Sequence, residues 1–231
     1  MSIFLCTFAA AKVVDLSKVQ ILIDDDMSRC TASEVARLLP RVSAQRREQA
    51  LRYKHVFGQY CCLRSWELLE ELMNDANGAN DDWVYNEHGK PFLKSRVKSQ
   101  ESREGERFFS ISHCKEAIAV VVADEPVGID IEGIRHASDE LIEQVMNEEE
   151  KERVKSLESR VERDRAFTRL WTQKEAVLKA QGTGIQSFEQ LKDVLKQSAF
   201  SVQTIEKEKY IYSIAYGKLH CLGTEIPSTD I

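Results

Sequence analysis

Apolar positions recur with a period of two in several short stretches of this chain and near 3.6 in two long ones, so strands and helices share it. The clearest alternation is Val127-Gly128-Ile129-Asp130-Ile131-Glu132. A strand there sends Val127, Ile129 and Ile131 to one face and Gly128, Asp130 and Glu132 to the other. At about 3.3 Å of rise per residue, the two acid stems stand about 6.6 Å apart, close enough to lean onto one small cation. Gly128, one pleat earlier on the acid face, leaves room for a close approach to the backbone.

The same reading applies along the chain. Ile3 to Ala10 and Gln20 to Ile23 read as strands. Thr31 or Ser33 caps a helix through Leu39 that Pro40 stops. Ser43 to Met73 is one long helical region, basic at its start and carrying Leu63, Trp66, Leu69, Leu72 and Met73 at helical spacing. Asn74 to Asp82 is a polar loop. Trp83-Val84-Tyr85 is a short strand, followed by the turn Glu87-His88-Gly89-Lys90-Pro91. Lys94 to Arg107 is charged and without apolar period, the best candidate for a boundary between two halves, 1–100 and 101–231, or for a mobile loop.

Phe108 to His113 alternates, and Ala117 to Ala123 is continuously apolar, as a strand covered on both sides is. With the acid strand next in line, a three-strand meander brings His113 close to Asp130 and Glu132. Asn147 caps a helix that opens Glu148-Glu149-Glu150, where acids suit the helix dipole. Asp164 to Gln181 carries Phe167, Leu170, Trp171 and Leu178 on one face and ends at Gly182-Thr183-Gly184. Ser201 to Ile205 and Tyr210 to Tyr216 close the chain as a hairpin, and the residues from Thr224 read as a frayed tail.

Composition narrows the picture. The 231 residues are long enough for one domain or two small ones, and 42% hydrophobic with 30% charged is an ordinary globular balance. A net charge of -6, from 32 Lys+Arg against 38 Asp+Glu, argues against a nucleic-acid or anionic-membrane partner. A phosphate site must be a local basic pocket. The six cysteines show no zinc or Cys-x-x-Cys spacing, the pattern of free thiols in a reducing cytoplasm. The apolar start lacks a positive leader and reads as a first strand, and no stretch has the length of a membrane span.

Most of the polar groups have ordinary explanations when taken singly. Asp-x-Glu on a strand is what any solvated sheet face shows. Glu175 and Lys179, four apart on a helix, are a common surface pair worth about 0.3 kcal/mol. A histidine on a strand, such as His113, is more often a packed core residue than a ligand. What distinguishes Glu175 is its place about 40° from Trp171 at the edge of the apolar stripe, where desolvation raises a carboxyl toward the range of a general base. Lys174 flanks the stripe on its other side.

Taken together, Phe109-Ser110-Ile111-Ser112-His113, Val127 to Glu132 and Trp171-Thr172-Gln173-Lys174-Glu175-Ala176-Val177-Leu178-Lys179, in that order and spacing, resemble the 4′-phosphopantetheinyl transferases of the surfactin-synthetase-activating type. The Gly89-Lys90-Pro91 turn and the Gly182-Thr183-Gly184 ending match too. The motifs lie between Gly89 and Gly184, and the first eighty residues match in general pattern only.

The resemblance implies an α+β fold of two pseudo-symmetric halves, each a small sheet with a long helix packed across it, and a site in the cleft between them. It implies transfer of the phosphopantetheine arm of coenzyme A to a carrier-protein serine, a holo-[acyl-carrier-protein] synthase activity, with release of 3′,5′-ADP. By similarity Asp130 and Glu132 hold Mg²⁺ with a third carboxylate, Glu150 in the best alignment or its neighbour Glu149. Glu175 deprotonates the serine and Lys179 holds the pyrophosphate. Ser112 and His113 bind the phosphates of coenzyme A, and Gly89, Lys90 and Pro91 border the adenine. Arg46 and Lys174 complete the coenzyme-binding cations. Gln49, and Tyr60 or Cys61, fall where the family carries further basic residues, a departure that bears on coenzyme affinity. A monomer is expected, because one chain supplies both halves. The competing readings are a phosphodiesterase-like Mg²⁺ enzyme and a non-catalytic module that binds carrier proteins or coenzyme A.

Overall fold

The computed structural model describes residues 18–73, 83–93 and 107–217. The expected strand Ile3 to Ala10, the loop Asn74 to Asp82, most of Lys94 to Arg107 and the tail from Thr224 lie outside these residues. In chain order the elements are β1 (Val19–Asp24), α1 (Ala32–Leu38), α2 (Ala44–Leu51), α3 (Val56–Met73), β2 (Trp83–Tyr85), β3 (Pro91–Leu93), β4 (Phe108–His113) and β5 (Ile118–Ala123). There follow β6 (Val127–Gly133), α4 (Asp139–Val145), α5 (Glu148–Lys155), α6 (Arg160–Gln181), α7 (Phe188–Gln197), β7 (Ser201–Glu206) and β8 (Tyr210–Tyr216). Helices and small antiparallel sheets together give the expected α+β class.

The caps fall largely where sequence chemistry places them. Thr31 accepts from the Glu34 amide at the start of α1, and Asn147 and Glu150 form a reciprocal capping box on α5. Gly182 takes the left-handed conformation, φ 78°, that ends α6. The region from Ser43 to Met73 is two helices, not one. Between them the Arg52 and Tyr53 amides close tight turns on Gln49 and Ala50. The Tyr53 carbonyl accepts from the Gln59 side chain instead of a helical amide, and its ring occupies the space over Gly58 that any Cβ would fill.

Three sheets form among the described residues: β1-β5-β4, the hairpin β2-β3, and β6-β8-β7, all antiparallel. The meander expected for β4, β5 and β6 is therefore corrected. The turn after β5 delivers β6 to a different sheet, where it pairs with β8 in register from Val127 with Tyr216 to Gly133 with Tyr210. β5 is buried along its whole length. Ile118, Val120 and Val122 pack under α3 against Leu63, Trp66 and Leu69. Ala119, Val121 and Ala123 join the apolar face of β6, made by Val127, Ile129 and Ile131. Phe167, Leu170, Val177 and Leu178 of α6 form a third cluster with α4, α5 and α7.

Each three-stranded sheet thus carries one long helix, α3 or α6. The chain passes from one sheet to the other at the turn between β5 and β6, because β4 and β5 complete the sheet that β1 begins; the boundary expected within Lys94 to Arg107 falls almost wholly outside the described residues. No described helix is long and apolar enough to cross a membrane.

Candidate active site

The seam between the two sheets has no backbone ladder. Along the edge of β6 opposite β8, the Ile129 amide donates to Ser110 Oγ (3.1 Å) and the Ile131 amide to Ser112 Oγ (3.3 Å). Two serines spaced by two on β4 stand in for a partner strand. The seam puts β4, with Ser112 and His113, beside Asp130 without the meander.

From the far side α6 closes on the same strand at Gly128. A Cβ there would collide with the Ala176 carbonyl oxygen and the Ala180 amide nitrogen, so the glycine is what lets helix backbone rest on strand backbone. That contact lays Glu175 and Lys179, half-buried and one turn apart, along the acid face of β6.

Lys179 Nζ donates to Asp130 Oδ1 (2.7 Å) and to Ser112 Oγ (2.9 Å), and Ser112 Oγ donates to the same Asp130 oxygen (2.9 Å). Asp130 is only 4% exposed, yet its Oδ2 is buried with no hydrogen-bond partner among the described residues. A buried carboxylate oxygen left bare is costly, and demands a ligand.

Two further acids face it. Burial, then the charge of Asp130, pushes Glu132 above the usual carboxylate range. Burial and the charges of Asp130 and Glu132 push Glu175 up to about 7, against the pull of Lys179. Trp171 stacks on Phe167 with ring centroids 6.1 Å apart and lies 5.3 Å beneath the Arg135 guanidinium. His113, at the exposed end of β4, meets Phe57 edge-on at 6.1 Å, and desolvation of its ring followed by the nearby Lys179 charge lowers its pKa.

Other expected site residues lie elsewhere. Lys174 is 1% exposed and points away from the cleft, donating to Glu150 Oε2 (2.6 Å) and the Val145 carbonyl (2.8 Å). Glu150 is committed to that lysine and to the Asn147 amide. Among the described residues no three His, Cys, Asp or Glu side chains gather closely enough to hold a metal ion, so Asp130, Glu132 and Glu150 form no such group. The acid that feels the charges of both Asp130 and Glu132 across the cleft is Glu175.

Lys90 Nζ donates to the Lys179 (2.5 Å), Ala180 (3.3 Å) and Val127 (3.5 Å) carbonyls, and Asn86 Nδ2 to the Gly182 carbonyl (2.7 Å). The β2–β3 hairpin therefore caps the carbonyl end of α6 with a cation, where the dipole favours one. It also roofs a cavity of about 230 Å³ lined by Lys90, Pro91, Ser110, Ile111, Lys179 and Gly182.

Arg46 lies 3.8 Å above the Trp66 ring and donates to Gln49 Oε1 (3.0 Å), which also accepts from Tyr85 (3.1 Å). All these partners are neutral, and no acid pairs with Arg46 among the described residues. The sequence reading missed Asn86, Arg135, and Ser110 as a stitch. The Ser-x-Ser repeat of β4 was the signal for the last.

The sequence model of the 4′-phosphopantetheinyl transferase superfamily matches residues 126–224, the stretch that contains β6 and α6. The family resemblance carried by the motifs is the one the comparisons return. The chain is 31% identical over 153 residues to the 4′-phosphopantetheinyl transferase gsp of Aneurinibacillus migulanus, covering 64% of this chain and 59% of that protein. It is 26% identical over 158 residues to a 4′-phosphopantetheinyl transferase of Bacillus subtilis (67% and 66%), and 34% identical over 114 residues to HetI of Nostoc sp. (48% and 46%). The matched stretch spans less than two thirds of the length of each of these relatives.

Proposed function

We propose that the protein transfers the 4′-phosphopantetheine moiety of coenzyme A to a serine of an acyl or peptidyl carrier protein. The serine oxygen forms a bond to the phosphorus that bears pantetheine, the bond from that phosphorus to the 3′,5′-ADP oxygen breaks, and the serine proton passes to a carboxylate. The carrying observation is the group Asp130–Lys179–Glu175–Glu132 beside a cavity that Lys179 also lines. The relatives' names support the same reaction class.

The residues fit a hard divalent ion: Asp130 offers an unpartnered oxygen, and Glu132 and Glu175 are acids destabilised by its charge. Mg²⁺ binds through a few carboxylates and fills its remaining positions with water and substrate phosphates. When bound it would neutralise charge building on the diphosphate. Asp130 and Glu132 would hold it, with water and substrate phosphates in its other positions; Glu175 stands too far off to make a group of three as the side chains lie, and would be drawn to the ion only once it is bound, in the place that the resemblance gives to Glu150.

Lys179 supplies a fixed cation to the diphosphate, His113 lies at the same edge, and Arg46 offers an acid-free positive charge to a terminal phosphate. Pro91 and the Lys90 stem border the base, while the Lys90 ammonium holds the helix end. A second reading of Glu175, as the proton acceptor for serine, is favoured by its pKa of about 7.

The test is to incubate the protein with coenzyme A, Mg²⁺ and an apo carrier domain and to weigh the carrier. A gain of one phosphopantetheine supports the proposal. An unmodified carrier with coenzyme A still bound leaves the non-catalytic module, and hydrolysed coenzyme A leaves the phosphodiesterase.

A further inference from the structure

The two serines of β4 are alike in sequence and unlike in what their hydroxyls have left to give. A serine hydroxyl has one proton and two lone pairs. At Ser112 all three are spent: the proton on Asp130 Oδ1, the lone pairs on the Ile131 amide and on Lys179 Nζ. A phosphate is an acceptor, and Ser112 can donate to one only by releasing Asp130. Ser110 accepts from the Ile129 amide. Among the described residues its proton has no acceptor, and Ser110 is one of the residues that line the cavity of about 230 Å³ under the β2–β3 hairpin.

We infer that the two serines divide the work: Ser112, in place of the phosphate contact that the resemblance gives it, is a positioning residue that fixes Asp130, and Ser110 is the hydroxyl that donates to the phosphate-bearing ligand in the cavity. The inference rests on the transferase reading for its ligand and deepens it by separating two roles. Asp130 sits between two anchors, Ser112 and Lys179, on one oxygen. Both hold that oxygen in place and leave the other, buried and unpartnered among the described residues, free to ligate. Removing the neutral anchor lets the carboxylate rotate, and the loss falls on the cation. Removing the Ser110 hydroxyl leaves Asp130 anchored and costs the coenzyme a hydrogen bond.

Two binding measurements separate the roles without reference to turnover. Affinity for Mn²⁺, as a paramagnetic probe, is followed by the loss of the free-ion resonance. Coenzyme A binding is followed by calorimetry in EDTA. Ser112→Ala is expected to weaken Mn²⁺ binding about 10- to 100-fold and to leave metal-free coenzyme A affinity unchanged. Ser110→Ala is expected to weaken metal-free coenzyme A binding about tenfold and to leave Mn²⁺ affinity unchanged.

The threonine variants, which keep the hydroxyl, should restore both. Should Ser112→Ala fail to fold, Ser112→Thr and Ser112→Val, equal in shape, replace it with the same expected contrast. The inference is overturned by the reversed pattern, or by Ser112→Ala weakening coenzyme A and Mn²⁺ alike. A wild-type protein that binds both probes but modifies no carrier would sink the transferase reading and leave the division of labour intact.

Discussion

Lys179 Nζ and Asp130 Oδ1 stand 2.7 Å apart, with Asp130 nearly buried and Lys179 half-buried. The pair joins α6 to β6 through one carboxylate oxygen and leaves the other bare. Removing Asp130 should therefore cost the cation before it costs the coenzyme. Asp130→Asn is expected to cut transfer by at least about 100-fold. Raising Mg²⁺ to millimolar levels should not restore it, while calorimetry in EDTA shows coenzyme A still bound. Full rescue by Mg²⁺ would show that Asp130 is not the principal oxygen donor.

Glu175 has two assignable jobs, and one variant separates them. In Glu175→Gln the side chain keeps its shape and loses its charge. If Glu175 is an oxygen donor to the cation, the Mn²⁺ dissociation constant rises along with the loss of turnover. If it only accepts the serine proton, turnover falls about 10²- to 10⁴-fold with Mn²⁺ affinity intact. We expect the first outcome, because the neighbours that raise its pKa, after burial itself, are the two strand acids. Unchanged rates would remove Glu175 from the reaction altogether.

Lys174 and Glu150 are expected to matter for stability. Both are almost fully buried, and the pair ties α6 to the start of α5. Breaking such a pair leaves one buried charge uncompensated. Lys174→Met should cost about 3–5 kcal/mol in urea unfolding. Replacing both partners with Met should recover most of that loss. About 1 kcal/mol stays lost, because Glu150 also closes the capping box. A Lys174→Met protein of wild-type stability would show that the pair carries no structural load.

The elements that a local pattern specifies were legible in the sequence. The β6 alternation, the fully apolar β5, the Asn147 cap and the Gly182 stop each follow from residues within one turn or pleat of one another. Sheet membership was not, because β6 pairs with β8 some eighty residues later, and nothing local says so. The helix α7 was legible and missed: Ser187 caps it, and Phe188, Leu191, Val194 and Leu195 recur at helical spacing.

At the site, the sequence named Asp130, Glu132, Glu175 and Lys179, which the fold brings together. It also named Lys174, Glu150 and Lys90, whose charges the fold spends on α5 and on the end of α6. A charged residue beside a motif reads the same whether it faces the cleft or the core. Only the packing of α6 against α5 decides which.

Gly128 supplies a direct check on that packing. Its backbone is ordinary strand, where alanine would normally be neutral or better, so any penalty comes from the crowding of α6. The atoms a Cβ would meet are main-chain atoms of Ala176, Lys179 and Ala180, which no rotamer change can move aside. Gly128→Ala is expected to destabilise the fold by about 2–3 kcal/mol. In the surviving folded fraction, the α6 carboxylate should lift away from β6 and weaken Mn²⁺ binding. A wild-type melting temperature would mean that α6 does not rest on β6 at this point.

Two surface carboxylates, one on α1 and one on α4, should add a small acid-sensitive contribution to stability. Hydrogen bonds from Arg37 and then Arg29 hold Glu34 down at about 2. Bonds from Lys151 and then Lys155 hold Glu143 at about 2, tying α4 to α5. Both are depressed below the unfolded value of 4.5, so each contributes stability that is fully present above about pH 4.5. That contribution fades as pH falls toward 2, because the unfolded chain binds the proton first. Urea midpoints should therefore be flat from neutrality to about pH 5 and drop below it. Glu34→Gln and Glu143→Gln should each shallow the drop by lowering the neutral plateau by the same amount, which is small because exposed pairs contribute little. High salt should shallow it too, by screening the same pairs. An acid limb unchanged in the double variant would place the titrating groups elsewhere.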